Sequence, residues 1–326
     1  MTPSYNQGMY VEQTIRSVLL QGYPNLEYVV MDGGSTDSSV EIIRRYQPWL
    51  TYWVSESDRG QSAAINKGFV RATGHIYGYL NSDDVYQPNA LTRVARDFRD
   101  GSEGLHAYPV MDVHDEGSHA SCPTPGNPGS ESRRLHRRPV VQAFDPHRLN
   151  ASPRGIEWSD SLVPLIVGEL YFHQPGVFWP RYGHRQVGGF DDRYSFLFDQ
   201  KFFLELLLTG LPLICHGGEP VAAFRHHDHS KTVVSKQKRT NPFSLELWRI
   251  ARELEPKLRR SEREVVRRKR ISTFLSRVWR ELRSASGRPG ALRALARGLA
   301  DHPDAVTDRF FWATLLAIGG IGKVER

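Results

Sequence analysis

The sequence predicts an α/β protein, with a mostly parallel sheet flanked by helices and a basic, helical carboxyl-terminal tail. Helical and strand patterns alternate between residues 9 and 98, and polar clusters follow the predicted strands. Residues 240–326 hold 19 of the 43 Lys and Arg residues but only 10 of the 36 Asp and Glu residues. The positive charge therefore belongs to the tail and says little about chemistry in the rest of the chain.

Each element of the α/β segment is predicted from its apolar spacing. Val11, Ile15 and Val18 recur on one helical face, and the apolar run 26–31 predicts a strand that ends at Asp32. The next elements are a helix through Val40, Ile43 and Tyr46 that Pro48 ends, a strand at 51–55, a helix with Ala64, Ile65, Gly68 and Phe69 on its buried side, a strand at 75–80, and a helix through Leu91, Val94, Ala95 and Phe98 that is entered at Pro88.

Strands joined by helices of about ten residues pair in parallel, and ligands bind at the carboxyl ends of such strands. Polar clusters at 32–37, 56–61 and 81–84 follow three predicted strands, so we expect them to converge in one crevice. Only four residues precede the first loop and helix. The opening strand is therefore expected to be truncated, with the true start of the chain upstream, because losing a central strand would expose its neighbours.

The chain is predicted to divide into a domain at 1–235 and a basic helical extension at 236–326. The first contains an irregular insertion at about 112–161, rich in Gly, Pro, Ser and Arg, which predicts a long loop or lid. Order returns over 162–179, and 196–208 predicts a buried helix. The extension is expected to break at 287–290 and to close with the apolar stretch 310–322.

Composition excludes several classes of protein. Cys122 and Cys215 are the two cysteines of the chain, which excludes a disulfide framework and fits a reducing cytosol. No apolar run reaches the roughly 18–20 residues of a membrane span. The first ten residues lack a secretory pattern. We expect a protein that is neither integral to a membrane nor exported.

Several motifs, in order, resemble those of GT-A glycosyltransferases of family 2. They are Thr-Pro-Ser-Tyr-Asn at 2–6, Asp-Gly-Gly-Ser-Thr-Asp at 32–37, Asp-Arg-Gly-Gln-Ser at 58–62, Asn-Lys-Gly at 66–68, Asn-Ser-Asp-Asp at 81–84, Gln-Pro at 174–175, Gly-Gly-Phe-Asp-Asp at 188–192, Asp199, and His227 followed by Ser-Lys-Thr at 230–232. The resemblance covers roughly residues 2–110 and 168–233. It implies a GT-A fold and sugar transfer from a nucleotide-diphospho-sugar.

The resemblance implies a divalent cation, Mn²⁺ or Mg²⁺, that neutralises the departing diphosphate. Asp83 and Asp84 are its expected ligands, and His227 is a further one by motif register; imidazole beside carboxylate favours Mn²⁺ over Ca²⁺. Asn81 stands where the family has its first Asp. Taken alone, an Asp pair after a strand is also typical of a turn or helix cap.

Nucleotide contacts are implied in the same way, with UDP as the favoured nucleotide. Asp32 is expected to read the edge of uracil or thymine, although Asp-Gly is also a common turn pair. The other nucleotide-binding residues expected from the resemblance are Pro3, Tyr5, Asp58 and Gln61.

Asp199 is the predicted catalytic base, since an acceptor hydroxyl needs a positioned group to take its proton. The aromatic and apolar residues around it in the sequence would raise the proton affinity of a carboxylate. An Asp before an apolar run is also a helix cap, and both roles are compatible. In-line displacement by such a base predicts inversion at the anomeric carbon.

The function predicted from these residues is an inverting, metal-dependent glycosyltransferase. It moves one sugar to a hydroxyl of a saccharide or lipid-linked acceptor in surface polysaccharide biosynthesis. Gln-x-x-Arg-Trp, a signature of processive members, is not found. A non-catalytic sugar-nucleotide-binding protein is the alternative, and a nucleic-acid-binding protein is disfavoured because Asp clusters would repel phosphate.

The basic tail has two interpretations. Arginines between 259 and 270 lie beside apolar residues such as Val266 and Ile271, a pattern typical of a helix on an anionic membrane, and the aromatic stretch from Phe310 would add an anchor. The same pattern fits apolar residues that pack on the catalytic domain while the arginines form a solvated face. A protein in the cytoplasm, peripheral on the inner face of the plasma membrane, follows from the first interpretation.

Overall fold

The computed structural model describes residues 1–99, 103–114, 156–157, 161–168, 170–231, 242–283, 287–301 and 303–319. The described strands are β1 (Thr2–Ser4), β2 (Val29–Asp32), β3 (Tyr52–Ser55), β4 (Ile76–Tyr77), β5 (Val85–Tyr86), β6 (Leu105–Ala107), β7 (Val110–His114), β8 (Ile156–Glu157), β9 (Val177–Pro180), β10 (Leu213–Cys215) and β11 (Ala222–His226). The described α-helices are α1 (Val11–Leu19), α2 (Ser39–Tyr46), α3 (Gln61–Arg71), α4 (Ala90–Arg99), α5 (Val163–Ile166), α6 (Arg181–Val187), α7 (Phe198–Leu208), α8 (Pro242–Leu254), α9 (Arg260–Arg283), α10 (Gly287–Asp301) and α11 (Arg309–Gly319).

The chain forms two compact units. The first comprises Met1–Asp160 and Leu170–Phe243, and the second comprises Ser161–Glu169 and Ser244–Arg326. The predicted domain boundary at 235/236 lies outside the described residues, as does most of the insertion at 112–161. Within the described part of the chain, no helix combines the length and the hydropathy needed to cross a membrane.

The first sheet confirms the predicted parallel order. β1, β2 and β3 lie side by side, and their parallel register places Ser4 beside Asp32 and Asp32 beside Ser55. The opening strand, expected to be truncated, is three residues long, fully buried and paired with β2. The carbonyl of Met1 also accepts a hydrogen bond from the backbone N–H of Leu80, which joins β1 to the segment after β4.

The other two sheets mix parallel and antiparallel pairs, so the mostly parallel arrangement holds for the first sheet alone. Their orders are β4-β9-β6-β10-β8 and β5-β11-β7. β6–β10 and β7–β11 are parallel, whereas β4–β9, β6–β9, β8–β10 and β5–β11 are antiparallel. The direction of each pair depends on where the later strands are inserted in the fold, and chain order alone does not reveal it.

The helices of the first unit begin and end close to the predicted positions because their apolar faces fit the sheet. Val11 and Ile15 of α1 and Ile43 of α2 are fully buried in a shared core with Val30. A second, aromatic cluster surrounds the buried Trp179, whose ring centroid lies 5.3 Å from that of Phe202. These contacts fix α7 against β9 and so position the start of α7.

The second unit has its own core. Phe274 and Val278 of α9, Leu295 of α10 and Phe311 and Ile318 of α11 are buried together. The helix that was predicted to break at 287–290 ends earlier, at Arg283, and the next helix, α10, begins at Gly287. Pro289 lies in its first turn, where its missing N–H leaves no helical hydrogen bond unmade.

Candidate active site

Asp32, at the end of β2, is buried, and its carboxylate is hydrogen-bonded mainly within the turn that follows it. Its carboxylate accepts the hydroxyls of Ser35 and Ser55 at 2.5 and 2.6 Å, and the backbone N–H groups of Gly34 and Ser35 at 3.1 and 2.8 Å. The observed contacts are those of a turn-stabilising carboxylate. The base-reading role of Asp32 stays a prediction.

The loops after β1 and β2 are tied together at the same edge. Asn6 has a left-handed backbone, with φ of 51°, and its Oδ1 accepts the N–H of Thr36 at 2.9 Å. Pro3 is buried within β1, whereas Tyr5 is 61% exposed. Of these two predicted nucleotide contacts, Tyr5 therefore presents an open ring surface.

Asp58, after β3, lies against the glycine turn. A Cβ on Gly33 would lie 2.8 Å from Asp58 Oδ2, so a side chain at position 33 would displace that carboxylate. Asp58 Oδ1 accepts the N–H of Gly60 at 2.7 Å. The glycine at 33, which the sequence analysis did not single out, allows two of the polar clusters to touch.

Asp83 and Asp84 face different surroundings despite being neighbours. Asp83 Oδ2 lies 3.0 Å from Nε2 of His227, and the imidazole is buried. Asp84 is 1% exposed, and its Oδ1 accepts the backbone N–H of Arg225 in β11 at 2.9 Å. Burial, followed by the charge of Asp83, raises the pKa of Asp84 well above its usual range. The structure thus brings Asp83 and His227 together and directs Asp84 into the interior.

Arg225 and Tyr10 support this pair, and sequence reasoning assigned neither a role. Arg225 Nε donates to the carbonyl of Asp83 at 2.9 Å, and its guanidinium lies 5.0 Å from the ring centroid of Tyr10. The Tyr10 ring in turn lies 4.5 Å from that of His227. The run of basic residues at 225–231 was the available signal for Arg225; Tyr10 had none, because its contact is purely tertiary.

A chain of side-chain amides runs beside the Asp83–His227 pair. Gln61 Nε2 donates to Asn81 Oδ1 at 2.7 Å, and Asn81 Nδ2 donates to Gln174 Oε1 at 3.2 Å. Asn81 therefore acts as donor and acceptor at once, which a carboxylate cannot do. Lys231 Nζ reaches Gln61 Oε1 at 3.3 Å and extends the chain.

Asp199 lies in the first turn of α7, half-buried, with Oδ1 2.7 Å from the N–H of Gln200. Burial raises the pKa of Tyr79 well above its usual value, and the charges of Asp199 and Asp84 raise it further. Both carboxylates therefore act on the same phenol. The Tyr79 ring lies 6.5 Å from that of Phe198, so the start of α7 approaches the segment that leads into the 81–84 turn.

Residues 1–144 match the family described as Glycosyl transferase family 2. The chain contains a family 2 glycosyltransferase domain. A 118-residue stretch is 34% identical to an uncharacterized glycosyltransferase of Nostoc sp. and covers 35% of this chain and 37% of that protein. A 96-residue stretch is 34% identical to the putative teichuronic acid biosynthesis glycosyltransferase TuaG of Bacillus subtilis and covers 28% and 38%, respectively. Each alignment spans little more than a third of the relative.

Solved structures share the fold over most of the chain. S. aureus TarS superposes with a TM-score of 0.63 at 16% identity, over 96% of this chain and 49% of TarS. The mannosyltransferase PcManGT from Pyrobaculum calidifontis, in complex with GDP-Man and Mn²⁺, superposes with a TM-score of 0.50 at 18% identity, over 98% and 84%. The fold of the family 2 domain is GT-A.

Two side chains at the end of the sheet could hold a divalent cation. Asp83 and His227 offer a carboxylate oxygen and an imidazole nitrogen that already converge, a donor set that fits Mn²⁺ or Mg²⁺. Among the described residues, no group of three or more His, Cys, Asp or Glu side chains could hold a metal ion. Two converging donors do not complete a coordination shell, so a cation held by them would need further ligands from water or a bound substrate.

Proposed function

We propose that the protein is an inverting, cation-dependent glycosyltransferase. It transfers one sugar from a nucleotide-diphospho-sugar to a hydroxyl of a saccharide or lipid-linked acceptor. The observation that carries the proposal is the 3.0 Å approach of Asp83 to His227, which are 144 residues apart in the sequence. A turn that only reverses the chain does not need a buried imidazole beside its carboxylate, whereas a site that binds a cation and a diphosphate does.

Donor binding is assigned to the crevice edge. Tyr5 offers an exposed ring for a base or ribose, and Asp58 and Gln61 lie at the starts of the next loop and helix. Structures similar in fold hold UDP-GlcNAc, in S. aureus TarS 1-349, or GDP-Man, in PcManGT. UDP is the proposed nucleotide. Asp83 and His227 would hold Mn²⁺ or Mg²⁺, and a bound cation would supply compensation for the charge of the diphosphate.

Asp199 is the proposed base. It is half-buried at the amino end of α7, beside an aromatic cluster and within electrostatic reach of Tyr79. Its carboxylate would accept the proton of the acceptor hydroxyl while that oxygen attacks the anomeric carbon. Attack from the face opposite the diphosphate gives inversion, and no enzyme nucleophile is needed.

The proposed process is cell-surface polysaccharide assembly, supported by the similarity to TuaG, whose printed name refers to teichuronic acid biosynthesis. We further propose that the protein acts in the cytoplasm, at an anionic membrane surface that its second unit contacts. A chain with two cysteines in 326 residues suits a reducing compartment.

A panel of nucleotide sugars with Mn²⁺ tests the proposal by following release of UDP, dTDP or GDP. Asp199→Ala is expected to lower release at least about 100-fold, the lower range for loss of a positioned base. Asp83→Ala should lower release at least as much, because a bound cation would lose one of its two protein ligands. Asp228→Ala is the matched control, because Asp228 is exposed and adjacent to His227, and it should release nucleotide at the unaltered rate.

Three outcomes would contradict the proposal. Unchanged release in Asp83→Ala or Asp199→Ala would remove the role of that residue. Retention of anomeric configuration, measured by NMR on the product, would remove the in-line mechanism. Mn²⁺-dependent UDP binding with no turnover of any donor would favour the non-catalytic binding protein, which the amide at Asn81 also suggests.

A further inference from the structure

The helix α11 exposes an apolar surface in the second unit. Phe310, Trp312 and Leu316 are 60%, 54% and 50% exposed. The opposite side of the helix packs inside the unit, since Phe311, Thr314 and Ile318 are buried. The core of the unit therefore accounts for one face of α11 and leaves the outward face without an internal role.

The outward face is one continuous arc. At about 100° per residue, positions 309, 313, 316 and 317 fall on the arc between Trp312 and Phe310. Arg309 is the one charged residue of α11, and its guanidinium lies 5.0 Å from the ring centroid of Phe310. An aromatic and aliphatic arc with a guanidinium at its amino-terminal end is typical of a helix at a membrane interface.

A basic groove lies on the neighbouring helix α9. It has a volume of about 620 Å³ and is lined by Ser276, Trp279, Arg280 and Arg283. These four residues occupy positions i, i+3, i+4 and i+7, which form one stripe of the helix. The Arg283 guanidinium lies 5.6 Å from the Trp279 ring centroid. Within the described part of the chain, neither arginine forms an ion pair with a carboxylate.

The groove and the apolar arc are adjacent. Trp279 Nε1 donates to Thr314 Oγ1 at 2.9 Å, and Thr314 Oγ1 donates to the carbonyl of Phe310 at 2.7 Å. Thr314 is one helical turn from Phe310. The indole thus joins the two surfaces. The apolar side of α9, which the sequence pattern suggested as the membrane face, is instead buried: Phe274 and Val278 belong to the core of the unit.

We propose that the groove binds the phosphate of an anionic phospholipid headgroup while Phe310, Trp312 and Leu316 enter the bilayer interface. Two guanidiniums match a phosphate in charge and geometry, and the indole suits the boundary between headgroup and acyl chain. A nucleic acid would use the arginines and leave the apolar arc in water. A second copy would bring like charges together. The inference names the membrane contact of the proposed function but does not depend on sugar transfer.

The test uses the full chain and sedimentation with vesicles. Vesicles of phosphatidylcholine with 30% phosphatidylglycerol are compared with pure phosphatidylcholine at a salt concentration of 0.15 M. We expect at least tenfold stronger binding to the anionic vesicles. Phe310→Ser with Trp312→Ser should lower that binding at least tenfold, and Arg280→Gln with Arg283→Gln should remove the preference for anionic lipid.

Matched controls distinguish binding at this site from nonspecific binding through positive charge or exposed apolar surface. Arg293→Gln with Arg297→Gln removes two exposed arginines of α10, and Leu292→Ser removes an exposed apolar residue of α10. Both should bind within twofold of the unaltered chain. All the substituted side chains are exposed. Circular dichroism and the thermal midpoint should therefore not change, and they would reveal any variant that misfolds.

Several results would overturn the proposal. Equal binding to neutral and anionic vesicles would remove the headgroup site, and equal loss in the Arg293 and Arg297 control would reduce it to diffuse charge. Binding of a DNA duplex that Phe310→Ser leaves unchanged, without vesicle binding, would assign the surface to nucleic acid. A dimer on gel filtration that Phe310→Ser dissociates would assign it to a second copy. Nucleotide release, measured on the same variants, reports on the proposed function separately.

Discussion

Replacing Asn66 with Ala should destabilise the first unit and loosen the turn that leads to α7. Asn66 lies on α3 and brackets the backbone of Phe190: its Nδ2 donates to the Phe190 carbonyl at 2.7 Å, and its Oδ1 accepts the Phe190 N–H at 2.8 Å. The site is tight, because a Cβ on Gly189 would lie 2.7 Å from Asn66 Oδ1, and Gly189 has φ of 108°.

The expected loss follows from the two unmade hydrogen bonds. Each contributes about 0.5–1.5 kcal/mol, and a buried group left without a partner costs about 1–3 kcal/mol. Because the Phe190 side chain is 4% exposed, water reaches these backbone groups poorly, and we expect a total loss of about 2–4 kcal/mol in the free energy of unfolding.

Urea unfolding followed by circular dichroism measures this change. Asn25→Ala is the matched control, since Asn25 is exposed and its loss should cost less than about 0.5 kcal/mol. Asn66→Asp keeps the acceptor for the Phe190 N–H and loses the donor, so it should fall between the two. If Asn66→Ala lost no more unfolding free energy than Asn25→Ala, the two hydrogen bonds to Phe190 would contribute nothing measurable to stability.

Three further predictions concern acid, packing and the interior carboxylate. Burial lowers the pKa of His184 and His216 to about 4, whereas an unfolded histidine titrates near 6.5. As the pH falls from 6.5 towards 4, the unfolded chain therefore binds protons that the folded chain does not, and the free energy of unfolding should drop by up to about 2 kcal/mol per imidazole between pH 7 and 5. Denaturant titrations measure this drop, and His184→Phe should make the stability depend less on pH. Gly298→Ala places a Cβ against the Phe274 ring, too close for the ring to stay where it is. The melting temperature of the variant should therefore fall, with a loss of about 1–3 kcal/mol in the free energy of unfolding, despite the better helix propensity of Ala. An unchanged melting temperature would refute the close contact. Asp84→Asn should cost less than about 1 kcal/mol in urea unfolding and Asp84→Ala about 2–3 kcal/mol, because the amide still accepts the Arg225 N–H; equal losses would contradict the neutral, structural role of this side chain.

The α/β segment was readable from the sequence because its periodicity is local. Val11, Ile15 and Val18 recur every three or four residues, and this spacing alone places them on one buried face of α1. The strand ends at Asp32 and Ser55 follow from apolar runs that stop at polar residues. Strand pairing in the second and third sheets could not be predicted from the sequence. Antiparallel partners such as β4 and β9 are about a hundred residues apart, and neither strand has a sequence feature that identifies its partner.

The candidate site divides in the same way. Ordered motifs identified Asp83, His227 and Asp199, and the fold brings Asp83 to His227. Reading residue types in order did not reveal that Asp84 turns inward, since neighbouring side chains on an irregular turn diverge according to what packs on them, here the N–H of Arg225. The role of each of these residues in catalysis stays a prediction.

By itself, the sequence determined the alternation of helices and strands, the family 2 motifs and the excess of positive charge in the tail, because each is written in neighbouring residues. Only the tertiary structure decided which carboxylate meets His227, that the turn holds Asp32, and that α11 rather than α9 presents the open apolar face. Those outcomes depend on contacts between segments that are distant in the sequence. The energies of these contacts are set by how the side chains pack and how deeply they are buried in the folded protein.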